Sequence, residues 1–129
     1  MQPVTVFFNS GAYDAVHQGL AIAASATSLG REAELYFFWW ALERLIKGPL
    51  GAPDLREDVA DQMEKRGVPT LAELLEVVRA SGKAKLFACS GSMAAMGISP
   101  SQVEGKVDQV VGWTTILQRT AGVTDRFFV

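Results

Sequence analysis

Residues 83–98 read KAKLFACSGSMAAMGI and join the two patterns that decide the fold. The first half is a short apolar run typical of a buried β-strand, and turn-forming residues follow it from Cys89 onward. The second half is rich in alanine and methionine, has helical character and ends at Gly97. A strand that passes through a tight turn into a helix is the building unit of parallel α/β proteins.

The rest of the chain alternates strands and helices in the same way. Strands are predicted at 3–8, 32–40, 83–90, 107–112 and 125–129. Helices are predicted from Asp14 to a Gly30 cap, in three pieces between 41 and 82 with breaks at 47–54 and 66–70, from about Met93 to Gly97, and at 113–122. This alternation predicts one α/β domain over residues 1–129, with a mainly parallel sheet of about five strands and helices on both faces.

Composition excludes several classes of protein. The chain has 129 residues, 49% of them hydrophobic, and a formal net charge of −2 without a Lys/Arg cluster, which argues against binding to nucleic acid. No apolar run reaches the roughly 18 residues of a transmembrane helix, and no secretory leader is evident at the N-terminus. A single cysteine cannot form an intrachain disulfide, which agrees with a reducing compartment. Together these observations lead us to expect a cytoplasmic protein with no membrane span.

The predicted topology indicates where function lies. In parallel α/β sheets, ligands bind beyond the carboxyl ends of the strands. The residues at or just beyond the ends of the predicted strands, or directly before the last helix, are Ser10, Gly11, Trp39, Trp40, Cys89 and Gly112. The two tryptophans are expected to form a pocket wall or an oligomer contact, or else to be ordinary core residues of the sheet rim.

Cys89 is the principal candidate for chemistry. A thiol reacts as its thiolate, so a working cysteine needs surroundings that favour negative charge. Ser90, Gly91 and Ser92 follow it and can present backbone N–H groups at a helix start. The alternative is that Cys89 is a buried, inert packing residue, since free cysteine is commonly buried. Its position after a strand favours the reactive interpretation.

The remaining candidates are weaker. His17 is the only histidine and is either a proton partner for the thiol or a plain boundary residue of the first helix. One histidine and one cysteine do not make a zinc site, and a soft-metal site at Met93 and Met96 is less favoured than core packing. No metal and no cofactor are predicted. The turn NSGAYD at 9–14 is a possible anion-binding turn without a nucleotide-binding motif.

The segment ACSGSMAAMGI at 88–98, followed by VVGWTTILQRTA and the terminal RFFV, resembles the DsrE/DsrF-like family of small sulfur-relay proteins, especially its single-domain peroxiredoxin-like members. The resemblance covers most of the chain. It implies a Rossmann-like or flavodoxin-like three-layer sandwich that assembles as a homotrimer or homohexamer, with a persulfide carried on Cys89. Met96 and Gly97 stand where the relay branch has an arginine–glycine pair.

These observations lead to a function hypothesis with two alternatives. The favoured one is a sulfur carrier or sulfurtransferase that exchanges sulfane sulfur with donor and acceptor proteins or small thiols. A persulfide carrier needs one cysteine, whereas a dithiol redox cycle needs a second, resolving cysteine. The alternatives are a ligand-binding or assembly module in which Cys89 is inert, and a thiol peroxidase that depends on an external reductant.

Overall fold

Five short strands pair in parallel in one sheet, which confirms the predicted α/β class. In the computed structural model, which describes residues 2–47, 50–51 and 54–129, the strands are β1 (Val4–Phe8), β2 (Ala33–Phe37), β3 (Ala84–Cys89), β4 (Gln109–Val111) and β5 (Asp125–Phe128). Their spatial order is β4-β3-β2-β1-β5.

Helices connect the strands. They are α1 (Tyr13–Ser28), α2 (Trp39–Ile46), α3 (Glu57–Lys65), α4 (Leu71–Ala80), α5 (Ser90–Met96), α6 (Pro100–Val103) and α7 (Trp113–Thr120). Helices α2, α3 and α4 are the three predicted pieces between 41 and 82. The predicted break at 47–54 lies partly outside the described residues, and the short α6 was not predicted.

One face of the sheet carries the larger apolar core. The side chains of β1 alternate between the two faces, so Val4, Val6 and Phe8 point to the same side, where α1 covers them and α4 packs beside α1 over β3. Helix α4 starts with a capping box: the Thr70 hydroxyl accepts from the Glu73 backbone N–H at 3.2 Å, and the Glu73 carboxylate accepts from the Thr70 N–H at 3.2 Å.

The opposite face of the sheet is aromatic. Four rings stand side by side across β5, β1, β2 and β3, with neighbouring ring centroids 4.6, 5.5 and 4.7 Å apart. We call this the aromatic row; its members are Phe128, Phe7, Tyr36 and Phe87. The α7 residue Ile116 is fully buried against this side of the sheet. The sheet is therefore covered on both faces, as predicted for a three-layer sandwich.

Two predicted boundaries are wrong. The second strand was expected to run to residue 40, but β2 ends at Phe37, and Trp39 and Trp40 form the first turn of α2. The helix after Cys89 begins at Ser90 rather than Met93. Both errors have the same cause, because an apolar or small-residue run does not show by periodicity where a buried strand becomes a helix.

The order of the strands locates a crevice. The chain advances from β1 to β4 in one direction, then crosses back through α7 and adds β5 on the other side of β1. In open α/β sheets, ligands bind at the carboxyl edge where the strand order reverses. Here the reversal lies between β1 and β5.

None of the helices described in the structure has the length and apolar character required to traverse a lipid bilayer.

Candidate functional site

A cavity of about 650 Å³ opens at the carboxyl edge of the sheet, beside the reversal of strand order. We call it the thiol cavity, because the Cys89 side chain forms part of its wall. Its lining comes from the exits of β1, β2 and β3, the start of α7 and the end of the chain: Phe7, Asn9, Ser10, Phe38, Trp39, Cys89, Gly91, Ser92, Trp113, Phe128 and Val129.

Cys89 ends β3 and is the N-cap residue of α5. Side chains alternate between the two faces along β3, so the Cys89 side chain lies on the same face of the sheet as Phe87. On that face Cys89 belongs to a buried apolar cluster with Phe38 and Val111. Cys89 is only 4% exposed, so a reagent reaches the sulfur through the cavity and not from open solvent. Gly91 leaves space beside the sulfur, because a Cβ built there would stand 3.8 Å from Sγ.

The end of the chain holds the β1 side of the cavity in place. The Val129 main-chain oxygen accepts hydrogen bonds from the backbone N–H groups of Asn9 at 2.8 Å and Ser10 at 3.3 Å, while the Val129 N–H donates to the Phe7 carbonyl at 2.9 Å. Ser10 also caps the next turn, since its hydroxyl accepts from the Ala12 N–H at 3.1 Å. The loop after β1 is therefore tied to the last residue of the chain.

Aromatic side chains make most of the cavity wall. The Trp113 ring stacks on Phe38 with centroids 5.0 Å apart and on Phe7 at 6.2 Å. Trp39 and Trp113 are 45% and 50% exposed, so each has ring surface available to a ligand. Trp39 also has φ of +43°, a backbone conformation that bulky side chains rarely adopt.

The described wall of the thiol cavity contains no charged side chain. Among the described residues that line it, Cys89 is the one ionisable side chain, and the polar members Asn9, Ser10 and Ser92 are neutral.

The charges on this face of the sheet lie with the aromatic row. Glu34 is ion-paired with Arg119 and accepts a hydrogen bond from the Tyr36 hydroxyl at 2.6 Å. The Arg119 guanidinium sits 4.9 Å from the Phe87 ring centroid. Burial, followed by the hydrogen bond to Glu34, raises the pKa of the Tyr36 phenol well above its ordinary value.

A second, polar cavity of about 520 Å³ lies behind the β1 exit loop and includes Trp40 in its wall. Its Asp54 carboxylate accepts from the Tyr13 N–H at 3.0 Å and is ion-paired with Arg44 at 3.2 Å. Arg44 also donates to the Gly11 carbonyl at 2.6 Å. The start of α1, expected as a possible anion-binding turn, is therefore occupied by a carboxylate of the chain itself.

Comparison with protein families identifies the family of the chain. The profile of the DsrE/DsrF-like family matches residues 2–122 of the 129-residue chain. The chain belongs to the DsrE/DsrF-like family. This membership points to a role in sulfur relay and confirms the resemblance found in the sequence. A search of curated proteins gives no significant match.

The structure brings some of the candidate residues of this DsrE/DsrF-like chain together and separates others. Those in the thiol cavity are Cys89, Gly91, Ser92, Ser10 and Trp39, while Gly11 and Trp40 line the polar cavity. Ser90 and Gly112 are neighbours at the starts of α5 and α7, with the Ser90 hydroxyl 3.4 Å from where a Gly112 Cβ would stand.

His17 does not lie in the thiol cavity of this DsrE/DsrF-like domain. Its Nε2–H donates to the Pro69 carbonyl at 3.0 Å, and its ring lies beside Tyr13. In the described part of the chain, no three His, Cys, Asp or Glu side chains are placed to hold a metal ion.

Sequence reasoning missed nearly half of the cavity lining. The missed residues are Phe7, Phe38, Trp113, Phe128 and Val129, while Asn9 was named only as part of the possible anion-binding turn. A period-2 signal was available for two of them, because Phe7 lies in the first strand on the face opposite Phe8 and Phe38 follows two residues after Tyr36. Trp113 and Phe128 reach the cavity because α7 crosses the sheet, and no local sequence pattern indicates this crossing.

Proposed function

We propose that this DsrE/DsrF-like protein carries sulfane sulfur as a persulfide on Cys89 and passes it to an acceptor thiol. The observation that carries this proposal is the position of Cys89, which ends a central strand, caps α5 and forms part of the wall of a ligand-sized cavity. A cysteine with a purely packing role would need no such opening. The family match supports the same chemistry.

The loading step balances with one cysteine. The Cys89 thiolate attacks the outer sulfur of a donor persulfide R–S–SH, the donor S–S bond breaks, and R–S⁻ leaves as Cys89–S–SH forms. An acceptor thiolate then attacks the outer sulfur of Cys89–S–SH and releases the Cys89 thiolate. No net oxidation occurs, so the cycle needs neither a second cysteine nor a cofactor.

The cavity supports this cycle by shielding the product. A persulfide is lost easily to competing thiols in bulk solvent, and Cys89 is 4% exposed behind an aromatic wall. Gly91 provides space beside Sγ for the added sulfur atom. The donor and acceptor are other proteins or small thiols that reach the cavity mouth, in a reducing cytoplasmic setting.

We also propose that the protein acts as a homotrimer or homohexamer. Large apolar side chains remain exposed along α7, and monomeric proteins seldom expose extended apolar patches. Leu117 is 63% exposed, one turn after Trp113, which is 50% exposed. Sedimentation velocity tests this assembly: the wild type should sediment as an oligomer and Leu117→Glu should shift toward the monomer.

Intact-mass spectrometry tests the carrier function. After incubation with a persulfide donor and removal of excess reagent, the wild type should gain the mass of one sulfur atom, and a reductant should remove it. Cys89→Ser should show no gain. Ser90→Ala is the matched control, since this exposed residue adjoins Cys89 without lining the cavity. Equal masses for wild type and Cys89→Ser would contradict the proposal.

A further inference from the structure

We propose that the thiol cavity selects uncharged, apolar thiols or persulfides as the small molecules that exchange sulfur with Cys89, and discriminates against anionic ones. This inference rests on the proposed persulfide chemistry and adds the substrate class. Its physical basis is the size, charge and ring surface of the cavity.

The volume sets the size of the partner. At about 650 Å³, the cavity falls within the range of roughly 300 to 1,000 Å³ typical of small-molecule sites. A thiol that carries a single ring or a short alkyl chain fits this space with its sulfur at Cys89. The position between the ends of β1 and β5 is also where this class of sheet binds its ligands.

The described wall provides no positive charge. The described lining residues include no Lys, Arg or His side chain. A carboxylate group on an entering thiol would lose water without gaining an opposite charge, so its entry is opposed by desolvation.

The ring surfaces favour an apolar occupant. Half of Trp113 and somewhat less of Trp39 are exposed, and Phe128 is 73% exposed at the cavity edge. Aromatic and aliphatic groups bury this surface favourably, and rings add offset stacking. The neutral side chains of Asn9 and Ser10 can orient the ligand by hydrogen bonds.

The exchange step requires no further reagent. In the transfer direction, the thiolate R–S⁻ attacks the outer sulfur of Cys89–S–SH, the S–S bond to Cys89 breaks, and R–S–SH leaves with Cys89 as the thiolate. The reverse reaction loads Cys89 from R–S–SH. The cavity discriminates between thiols or persulfides only through their organic group R.

The first experiment compares two alkylating reagents of similar size on unmodified Cys89. The ratio of the rate with neutral iodoacetamide to the rate with anionic iodoacetate is measured by intact mass and divided by the same ratio for N-acetylcysteinamide. We expect the protein ratio to exceed the free-thiol ratio by about tenfold or more. A protein ratio equal to the free-thiol ratio would overturn the proposal.

The second experiment measures sulfur transfer from the persulfidated protein to two thiols that share a benzyl group and differ by a para carboxylate. Benzyl mercaptan is uncharged, and 4-(mercaptomethyl)benzoate carries a carboxylate. We expect transfer to benzyl mercaptan to be about tenfold faster or more. Equal transfer rates would overturn the selectivity while upholding persulfide chemistry. Selective alkylation without any persulfide formation would instead contradict the proposed function and uphold the charge selectivity of the cavity.

Variants that add a charge test whether the cavity wall causes the preferences in alkylation and in sulfur transfer. Phe128→Lys adds a cation at the exposed cavity edge, and Asn9→Lys adds one at a second exposed lining position in case the first variant fails to fold. Each should reduce or reverse both preferences. Val77→Lys is the matched control, because Val77 is 55% exposed on α4 and lies outside the cavity lining. An equal effect of Val77→Lys would overturn the proposal. Alkylation that slows as the protein concentration rises would also overturn it, because this would show that a second copy of the chain fills the cavity.

Discussion

The Cys89 sulfur lies 3.8 Å from the point where a Cβ on Gly91 would stand. A methyl group at that point makes ordinary van der Waals contact with the sulfur and reduces the free space beside it. Gly91 has a negative φ within α5, so alanine fits the backbone.

Gly91→Ala should therefore separate stability from reactivity. We expect the free energy of unfolding of the variant to be unchanged or higher by up to about 1 kcal/mol, because alanine has a higher helix propensity than glycine. Loading of Cys89 with sulfur should slow, since the methyl crowds the outer sulfur. Urea unfolding and a time course of intact mass check both. Unchanged loading kinetics would mean that the sulfur extends in another direction.

Trp39 provides a test of backbone strain at the cavity. At its φ of +43°, glycine is tolerated and alanine is not, so Trp39→Gly should be more stable than Trp39→Ala by roughly 1 kcal/mol. Ordinary helix positions show the opposite order by a similar amount. Urea midpoints of the two variants decide the sign, and Trp40→Gly with Trp40→Ala is the control pair one residue later in α2. An Ala variant that is more stable than the Gly variant at position 39 would exclude strain there.

Gly19 tests the close packing of α1 on the sheet. A Cβ there would stand 2.2 Å from Cε1 of Phe8 and 2.9 Å from Cγ2 of Val129, distances at which atoms overlap. Phe8 is fully buried and stacked on Phe37, so it has little room to move. We expect Gly19→Ala to lower the unfolding free energy by about 1 to 3 kcal/mol.

A double mutant checks the cause of this loss. Phe8→Leu removes the two ring atoms nearest the new methyl group, so the destabilisation by Gly19→Ala should be smaller in the Phe8→Leu background. Equal destabilisation in both backgrounds would show that Phe8 is not the obstacle.

Tyr36 is expected to make stability fall at high pH. Burial, together with the hydrogen bond to Glu34, raises the folded-state pKa of its phenol. The folded protein keeps this proton while the unfolded chain loses it above its own pKa of about 10, so the contribution is complete below that pH and is lost as the pH rises further. The expected slope is about 1.4 kcal/mol for each pH unit above 10.

Tyr36→Phe should remove this slope and cost about 1 kcal/mol at neutral pH for the lost hydrogen bond. Urea unfolding of both proteins between pH 7 and pH 11 checks the two effects. The ion pair between Glu34 and Arg119 remains in the variant, so its fold should be intact. Parallel stability curves for the two proteins would contradict the assignment to Tyr36.

Local patterns in the sequence were sufficient for the elements themselves. Runs such as residues 3–8 and 84–89 are short, apolar and bounded by turn formers, and the capping box of Thr70 and Glu73 marks the start of α4. They failed at Trp39 and Trp40, where five aromatic residues in succession favour strand and helix equally. That boundary is set by packing of α2 and not by the aromatic run.

By itself, the sequence determined the α/β class, the parallel sheet, the DsrE/DsrF-like family and the position of Cys89 at a strand end, because each depends on residues close together in the chain. Only the tertiary structure decided that α7 crosses the sheet to bring β5 beside β1, and with it the aromatic wall of the thiol cavity. Phe7, Phe38, Trp113 and Phe128 meet there from four separate elements. Such contacts between distant segments arise from burial of apolar surface in the folded sheet, which leaves no local signature in any one of them.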